Sequence, residues 1–222
     1  GDGQAEMGVG LGTGGRGLMA HFGSANEGYA FLRWLMVPWG AYNAAVGATS
    51  PAVGDTDGDG RAEVVTGLGS YPTNGGWFAV LDPMRNSALE RWMLVGGGAY
   101  NRAEGSTRPC VGDLDGDGTL EIVVGLGPYP TEGGWMQIRG VAASGWGNRG
   151  WLRYPWQEYN GANGSTRPTT RDTDGDGRAE IVGGIGSYGA GTGGGAILAF
   201  DDATTRHTYL GLRRVGDAAY QS

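Results

Sequence analysis

Short apolar segments recur along the whole chain and are rich in β-branched and aromatic residues. They have the length and composition of β-strands, and Gly, Pro and Asp residues separate them. No segment shows a sustained apolar period of 3.6 residues, so we expect helices to be nearly absent. The hydrophobic pattern therefore predicts an all-β protein.

The predicted strands form a repeat of about 58 residues, and each repeat contains four strands. Tyr-Asn pairs begin at Tyr42, Tyr100 and Tyr159, which are spaced 58 and 59 residues apart, and Tyr220 follows 61 residues later. An acidic loop separates the first strand of each repeat from the second. The first strands are predicted at 50–54, 107–112 and 166–171, the second at 6–10, 62–67, 121–125 and 180–183, the third at 18–22, 77–81, 135–138 and 196–200, and the fourth at 30–37, 91–95, 150–156 and 208–215.

Tandem four-stranded units of this size indicate a β-propeller with one repeat per blade. The approximate repeats are 1–48, 49–106, 107–165 and 166–222, in a single propeller or a segment of a larger one. The first blade is expected to lack its first strand, which omitted residues, a second copy of the chain or a further domain would supply. Two β-sandwiches are the main alternative, but they do not explain a single period through the whole chain.

The acidic loops have the pattern Asp-x-Asp-x-Asp-Gly-x-x-Glu, which occurs three times in full. Carboxylates at positions 1, 3 and 5 of a tight loop converge on one point, and the Gly at position 6 permits the turn. A backbone carbonyl at position 7 and the acid at position 9 are further oxygen ligands for a hard cation. A solvated acidic turn is the alternative interpretation, but three copies at fixed spacing argue against it. The predicted ligands are Asp55, Asp57, Asp59, Arg61 (through its carbonyl) and Glu63; Asp113, Asp115, Asp117, Thr119 and Glu121; Asp172, Asp174, Asp176, Arg178 and Glu180; and, from a partial copy, Asp2 and Glu6.

The distribution of charge agrees with a set of cation sites. The chain has a formal net charge of −7, with 23 acidic and 16 basic residues. Fourteen of the acids lie in the four acidic motifs, so the remainder of the chain is net positive. The basic residues form no run, which argues against a nucleic-acid-binding function. No apolar segment approaches the ~18 residues of a membrane span.

The three acidic loops, each followed by an apolar strand that ends in Gly-Leu-Gly or Gly-Ile-Gly, resemble the FG-GAP/VCBS repeat family. Members of this family form the blades of integrin α-subunit propellers and of many bacterial surface proteins. The resemblance implies a propeller with Ca²⁺ between the first and second strands of each blade, in three full sites and one partial site. The chain departs from the family pattern in its closing Glu and in having no clear Phe-Gly match. The spacing also looks similar to that of lectins built on this propeller.

Aromatic residues beside polar loops are candidate ligand-binding positions, because aromatic rings stack on sugar faces and anchor protein partners. For the tyrosines of the Tyr-Asn pairs, the alternative interpretation is that they pack between neighbouring blades. His21 and His207 lie in non-equivalent strands, and the sequence shows no recognisable arrangement of catalytic residues. The candidates are Tyr71, Tyr129, Tyr188, Trp39, Trp156, Tyr42, Tyr100 and Tyr159.

These observations predict a calcium-stabilised, non-enzymatic recognition or adhesion module that is extracellular or on a cell surface. Its expected partner is a glycan, as for a lectin, or an extracellular protein. One alternative is a structural subunit that oligomerises by strand complementation into a larger ring or fibre. Another is the propeller domain of a polysaccharide-active enzyme.

Overall fold

A computed structural model describes residues 6–71, 73–85, 88–186 and 195–214. The chain divides into two compact units, Gly1–Cys110 and Val111–Ser222. Each described blade is an antiparallel sheet whose strands are adjacent in the order of the sequence. None of the described helices has the length and apolar content needed to cross a membrane.

The first unit contains the first two blades. The first blade is a three-stranded sheet, and the second is a four-stranded sheet of β4 to β7. Two short helices, α1 and α2, follow the last strands of these blades. The elements are β1 (Met7–Gly10), β2 (Leu18–Phe22), β3 (Phe31–Met36), α1 (Gly40–Ala45), β4 (Thr49–Gly54), β5 (Glu63–Leu68), β6 (Trp77–Asp82), β7 (Ala88–Leu94) and α2 (Gly98–Ala103), with a 3₁₀ turn at Ala25–Glu27.

The second unit contains most of the third blade and the described part of the fourth. Both blades are four-stranded sheets, and the helix α3 connects them. The elements are β8 (Thr107–Gly112, which begins in the range of the first unit), β9 (Glu121–Leu126), β10 (Trp135–Arg139), β11 (Asn148–Arg153), α3 (Gln157–Ala162), β12 (Arg167–Arg171), β13 (Glu180–Ile185), β14 (Ala196–Phe200) and β15 (Tyr209–Arg214), with a 3₁₀ turn at Ala142–Ser144.

The predicted strands are confirmed, with end shifts of a few residues. In the described residues the first blade has three strands, in agreement with the prediction that its first strand is absent. The fourth strands β3 and β11 end earlier than predicted, because Pro38 and Pro155 follow them and proline has no N–H to donate. Val215, predicted to end the last strand, lies outside the described residues.

Three α-helices of six residues each are present in the described residues, where the sequence suggested loops. A helix of six residues completes fewer than two turns, so it is too short to show an apolar period. Each helix carries one of the Tyr-Asn pairs. In the first unit Tyr42 of α1 packs in a core cluster with Met19 and Leu35 of the first blade and Val64 and Leu81 of the second. The helices therefore belong to the packing between blades.

A threonine that begins the first strand of a blade bonds to the preceding blade. In the first unit Thr49 Oγ1 accepts the N–H of Leu11 at 3.0 Å and donates to the carbonyl of Leu18 at 2.9 Å. The same pattern recurs at Thr107, which accepts from Leu68 at 2.9 Å, and at Thr166 in the second unit, which accepts from Leu126 at 2.7 Å. A Cβ on Gly67 would lie 2.1 Å from the Thr107 carbonyl oxygen, so the close approach requires glycine.

Each blade has a β-bulge in its fourth strand, at equivalent positions. In the third blade Ile138 pairs with Gly150 and Arg139 with Asn148, so Arg149 is the extra residue. The register of the other blades gives the equivalent extra residues Leu32, Glu90 and Leu210. A bulge changes the direction of a side chain at a defined point in a sheet. The bulge residue is apolar in the first and fourth blades, acidic in the second and basic in the third.

Candidate metal centres

The first Asp of each acidic loop organises the loop backbone. We number the loops 1 (residues 55–63), 2 (113–121) and 3 (172–180). In loop 1, Asp55 accepts the N–H of Gly58 at 2.7 Å on one oxygen and that of Gly60 at 2.8 Å on the other. Gly58 and Gly60 have φ of 80° and 84°, a region that favours glycine. Asp113 and Asp172 make the equivalent bonds in loops 2 and 3.

Three carboxylates converge in each loop. In each group, one ligand atom from each residue lies within 4.8 Å of the others. These three groups contain the acids at positions 1, 3 and 9 of the motif, and we call them the acidic triads. Their members are Asp55, Asp57 and Glu63; Asp113, Asp115 and Glu121; and Asp172, Asp174 and Glu180.

The Asp at position 5 of each loop lies outside the triad, although the sequence predicted it as a ligand. Asp59 accepts the N–H of Arg61 at 2.8 Å, and Asp117 and Asp176 accept those of Thr119 and Arg178 at the same distance. These contacts turn the chain towards the glutamate at position 9. The carbonyl ligands proposed at Arg61, Thr119 and Arg178 stay predictions.

The closing glutamates are buried, whereas the aspartates of the triads are more exposed. Glu63, Glu121 and Glu180 are 3%, 1% and 1% exposed. One oxygen of each accepts the backbone N–H at position 2 of its loop, which belongs to Thr56, Leu114 and Thr173. The other oxygen of Glu180 is buried and has no hydrogen-bond partner, whereas that of Glu121 lies 3.5 Å from Arg149 Nη1. A buried carboxylate oxygen without a partner is costly, and a cation bound beside it removes that cost.

Burial has a direct electrostatic consequence at two of these glutamates. It raises the pKa of Glu63 to about 7, against a partial lowering by the bond from Thr56 and a further rise from Asp57. Burial likewise raises the pKa of Glu121 to about 7, and here the bond from Leu114 lowers it and Asp115 raises it. Both centres therefore hold negative charge at a cost that a cation would offset. An all-oxygen ligand set without His or Cys suits a hard cation.

The partial fourth site has no acidic triad among the described residues. Glu6, which the sequence predicted as a ligand, lies with its Oε2 2.6 Å from His21 Nε2. His21 is buried in β2, so Glu6 contacts the adjacent strand of its own blade. Asp2, the other predicted ligand of this site, lies outside the described residues.

The Tyr-Asn pairs are structural in their contacts. Tyr42, Tyr100 and Tyr159 are buried, and their hydroxyls donate to the carbonyls of Ala48, Ser106 and Ser165. Burial raises the pKa of Tyr42 to about 12, although bonds with Gly69 and Ala48 lower it. The adjoining Asn43, Asn101 and Asn160 donate to carbonyls that follow the fourth strands. These contacts favour packing over ligand binding for the three tyrosines.

The other candidate aromatic residues are partly exposed. Trp39 contacts Tyr71 edge to face, with ring centroids 5.4 Å apart, and contacts Trp92 in the same way at 5.7 Å. In the second unit, Arg214 lies over the ring of Trp156, 5.8 Å from its centroid. Tyr129 is half-buried, and Tyr188 lies outside the described residues. Trp39 and Tyr71 therefore form one mixed aromatic surface in the first unit.

The second unit contains a cavity of about 340 Å³ that the sequence did not predict. Its wall includes Asp115 and Glu121 of loop 2, Arg149 and Trp151 of β11, and His207. His207 adopts a left-handed backbone with φ of 56°, as does its neighbour Arg206 at 58°. Such strain in residues other than Gly is often found at functional sites. The sequence carries no signal for this cavity, because the bulge that places Arg149 in its wall is visible only when the strand register is known.

Comparison with known proteins supports the fold and does not identify a family. No protein-family model and no curated protein matches the sequence. Among solved structures, the Dos1 propeller has a TM-score of 0.51 and 9% identity over 94% of this chain and 45% of its own. This chain has a β-propeller fold. A rhamnogalacturonan lyase of Bacillus licheniformis, PL11, has a TM-score of 0.51 and 17% identity over 87% of this chain and 35% of its own. The chain thus spans less than half the length of each of these structures.

Proposed function

We propose that this propeller is a recognition module whose blades are stabilised by calcium. The observation that carries this proposal is the buried closing glutamate of each acidic triad, which in Glu180 has a buried oxygen without a partner. The acid ligands of loop 3, for example, would be Asp172, Asp174 and Glu180, and Ca²⁺ would tie the first strand of the blade to the second. The resemblance of these loops to FG-GAP/VCBS repeats supports calcium as the cation.

The experiment is calorimetric titration of the metal-free protein with Ca²⁺, followed by thermal unfolding with and without a chelator. Ions that bind the folded loops and not the unfolded chain raise the melting temperature. We expect saturable binding and a melting temperature that falls by several degrees in chelator. Mg²⁺ at the same concentration is the control, since it requires a stricter octahedral geometry and gives up its water less readily. An unchanged melting curve in chelator would refute structural calcium.

Recognition is assigned to the partly exposed aromatic surface of Trp39 and Tyr71. Aromatic rings with an exposed face beside polar groups suit the apolar face of a sugar ring or an anchoring side chain of a protein. We therefore propose a glycan or extracellular protein as the partner, and an extracellular location where calcium is abundant. Screening on a glycan array in calcium, with Trp39→Ala as the matched variant, tests the glycan form. Equal signals from both proteins would exclude this surface.

A polysaccharide-active propeller is the second candidate function. One structural neighbour is described as a rhamnogalacturonan lyase, and the cavity beside loop 2 brings His207 together with acidic and basic side chains. Incubation with acidic plant polysaccharides, followed by absorbance of unsaturated products and reducing-end assays, tests this candidate. His207→Ala is the variant that must lose any activity found.

A further inference from the structure

The three acidic loops have similar triads but face different bulge residues. The register of the fourth strands places Glu90 at the bulge of the second blade, Arg149 at that of the third and Leu210 at that of the fourth. The bulge residue is outside the loop motif in sequence. In space, Arg149 contacts the loop of its own blade.

Arg149 places a positive charge at the triad of loop 2. Its Nη1 lies 2.8 Å from Asp115 Oδ2 and 3.5 Å from Glu121 Oε1, so it contacts two of the three triad residues. The guanidinium thus neutralises carboxylates that a cation would otherwise bind. Arg149 also lines the cavity of the second unit, which gives its side chain space to move away from the loop.

The equivalent residues in the other two blades have no positive charge. Glu90 is partly buried in β7, and its pKa is raised by burial first and then by repulsion from Asp57 of loop 1. Glu90 therefore brings no positive charge to the second blade. Leu210 is 55% exposed and brings no charge to loop 3. Of the three equivalent bulge residues, Arg149 is the one with a positive charge.

We propose that Arg149 is an internal cation that occupies loop 2 and competes with calcium there, so that loop 2 binds calcium more weakly than loops 1 and 3. This inference rests on the proposed calcium binding. It goes further by predicting that Arg149 stabilises loop 2 when calcium is absent, and that calcium must displace the Arg149 side chain.

The test isolates loop 2 and then removes its arginine. In a Glu63→Gln/Glu180→Gln background, calorimetric titration with Ca²⁺ reports mainly on loop 2. Adding Arg149→Gln is expected to tighten that binding about tenfold, because a charge in contact with the triad is removed. Arg167→Gln is the matched control, because it removes the same charge from an exposed position at the start of β12. The reciprocal variant, Leu210→Arg in the wild-type background, is expected to weaken one binding event by a similar factor.

Thermal unfolding in chelator gives a second measurement that does not require calcium. Arg149→Gln is expected to lower the melting temperature in chelator and to have little effect in saturating calcium. Equal calcium affinity with and without Arg149, together with equal melting temperatures in chelator, would overturn the inference while leaving the proposed function intact. No calcium binding to the wild-type protein would remove the proposed function and this inference together.

Discussion

The backbone N–H of Leu126 donates to the side-chain hydroxyl of Thr166 at 2.7 Å, and this bond joins the third blade to the fourth. Thr166 passes the contact on by donating to the carbonyl of Trp135 at 2.8 Å. The hydroxyl is fully buried, so it serves as both acceptor and donor away from water. Its equivalents Thr49 and Thr107 make the same pair of contacts in the first unit.

We predict that Thr166→Val lowers the free energy of unfolding by about 1–3 kcal/mol. The substitution keeps the β-branched shape but removes the buried hydroxyl that accepts the N–H of Leu126 and donates to the carbonyl of Trp135. Thr169→Val is the control, because Thr169 is exposed on the same strand. Urea unfolding of both variants in saturating calcium provides the measurement. Equal losses from the two substitutions would contradict the role of the hydroxyl.

Replacement of a closing glutamate is predicted to weaken calcium binding at one loop only. Glu180→Gln removes the charge of the buried oxygen that has no partner and retains an oxygen able to accept the N–H of Thr173. We expect at least a tenfold loss of affinity for one ion, since the closing acid is a principal ligand of such loops. Glu158→Gln, at an exposed position in α3, is the control in the same titration. Loss of all binding events together would show that the loops are not independent.

The stabilising effect of calcium is predicted to grow as the pH rises from 5 to 8. Glu63 and Glu121 have a folded-state pKa of about 7, above the ordinary value of 4.5. For an acid shifted in this direction, the calcium-free protein is most stable below the unfolded-state pKa and loses stability as the pH rises through the folded-state value. Bound calcium favours the charged form and opposes this loss.

Melting temperatures measured across this pH range, in resin-treated buffer and in excess calcium, give the comparison. The Glu63→Gln/Glu121→Gln variant should show a flatter pH dependence in calcium-free buffer. If calcium raises the melting temperature by the same amount at pH 5 and at pH 8, the prediction from the burial of these two glutamates is wrong.

The buried tyrosine of α3 is predicted to contribute to stability without contributing to recognition. Tyr159→Phe removes the bond of 2.6 Å to the carbonyl of Ser165, and we expect it to cost about 1 kcal/mol of unfolding free energy. Tyr209→Phe, at a residue 39% exposed, is the matched control. Chemical denaturation checks the stability. Any ligand found on an array should bind the Tyr159 variant as well as the wild type.

The fold and the metal loops could be predicted from the sequence because both are local and repeated. A strand begins at the closing glutamate of all three loops, so each copy of this pattern supports the strand predicted in the other two blades. The short helices could not be predicted, because six residues show no period and their formation depends on burial of Tyr42 and its equivalents between strands. The contact between Arg149 and Asp115 could not be predicted either. The two residues are 34 apart in the sequence, and the contact depends on the one-residue bulge at Arg149.

The threonine contacts between blades have a kinetic consequence. Each of the three contacts joins residues 38 to 40 apart in the sequence, so the chain segments that they close are of similar, moderate length. Closing segments of nearly equal length costs nearly equal entropy, and none of these three contacts requires residues far apart in the chain to meet first. Folding can therefore begin at any of these contacts between blades and extend to the adjacent blades, as in other repeat proteins.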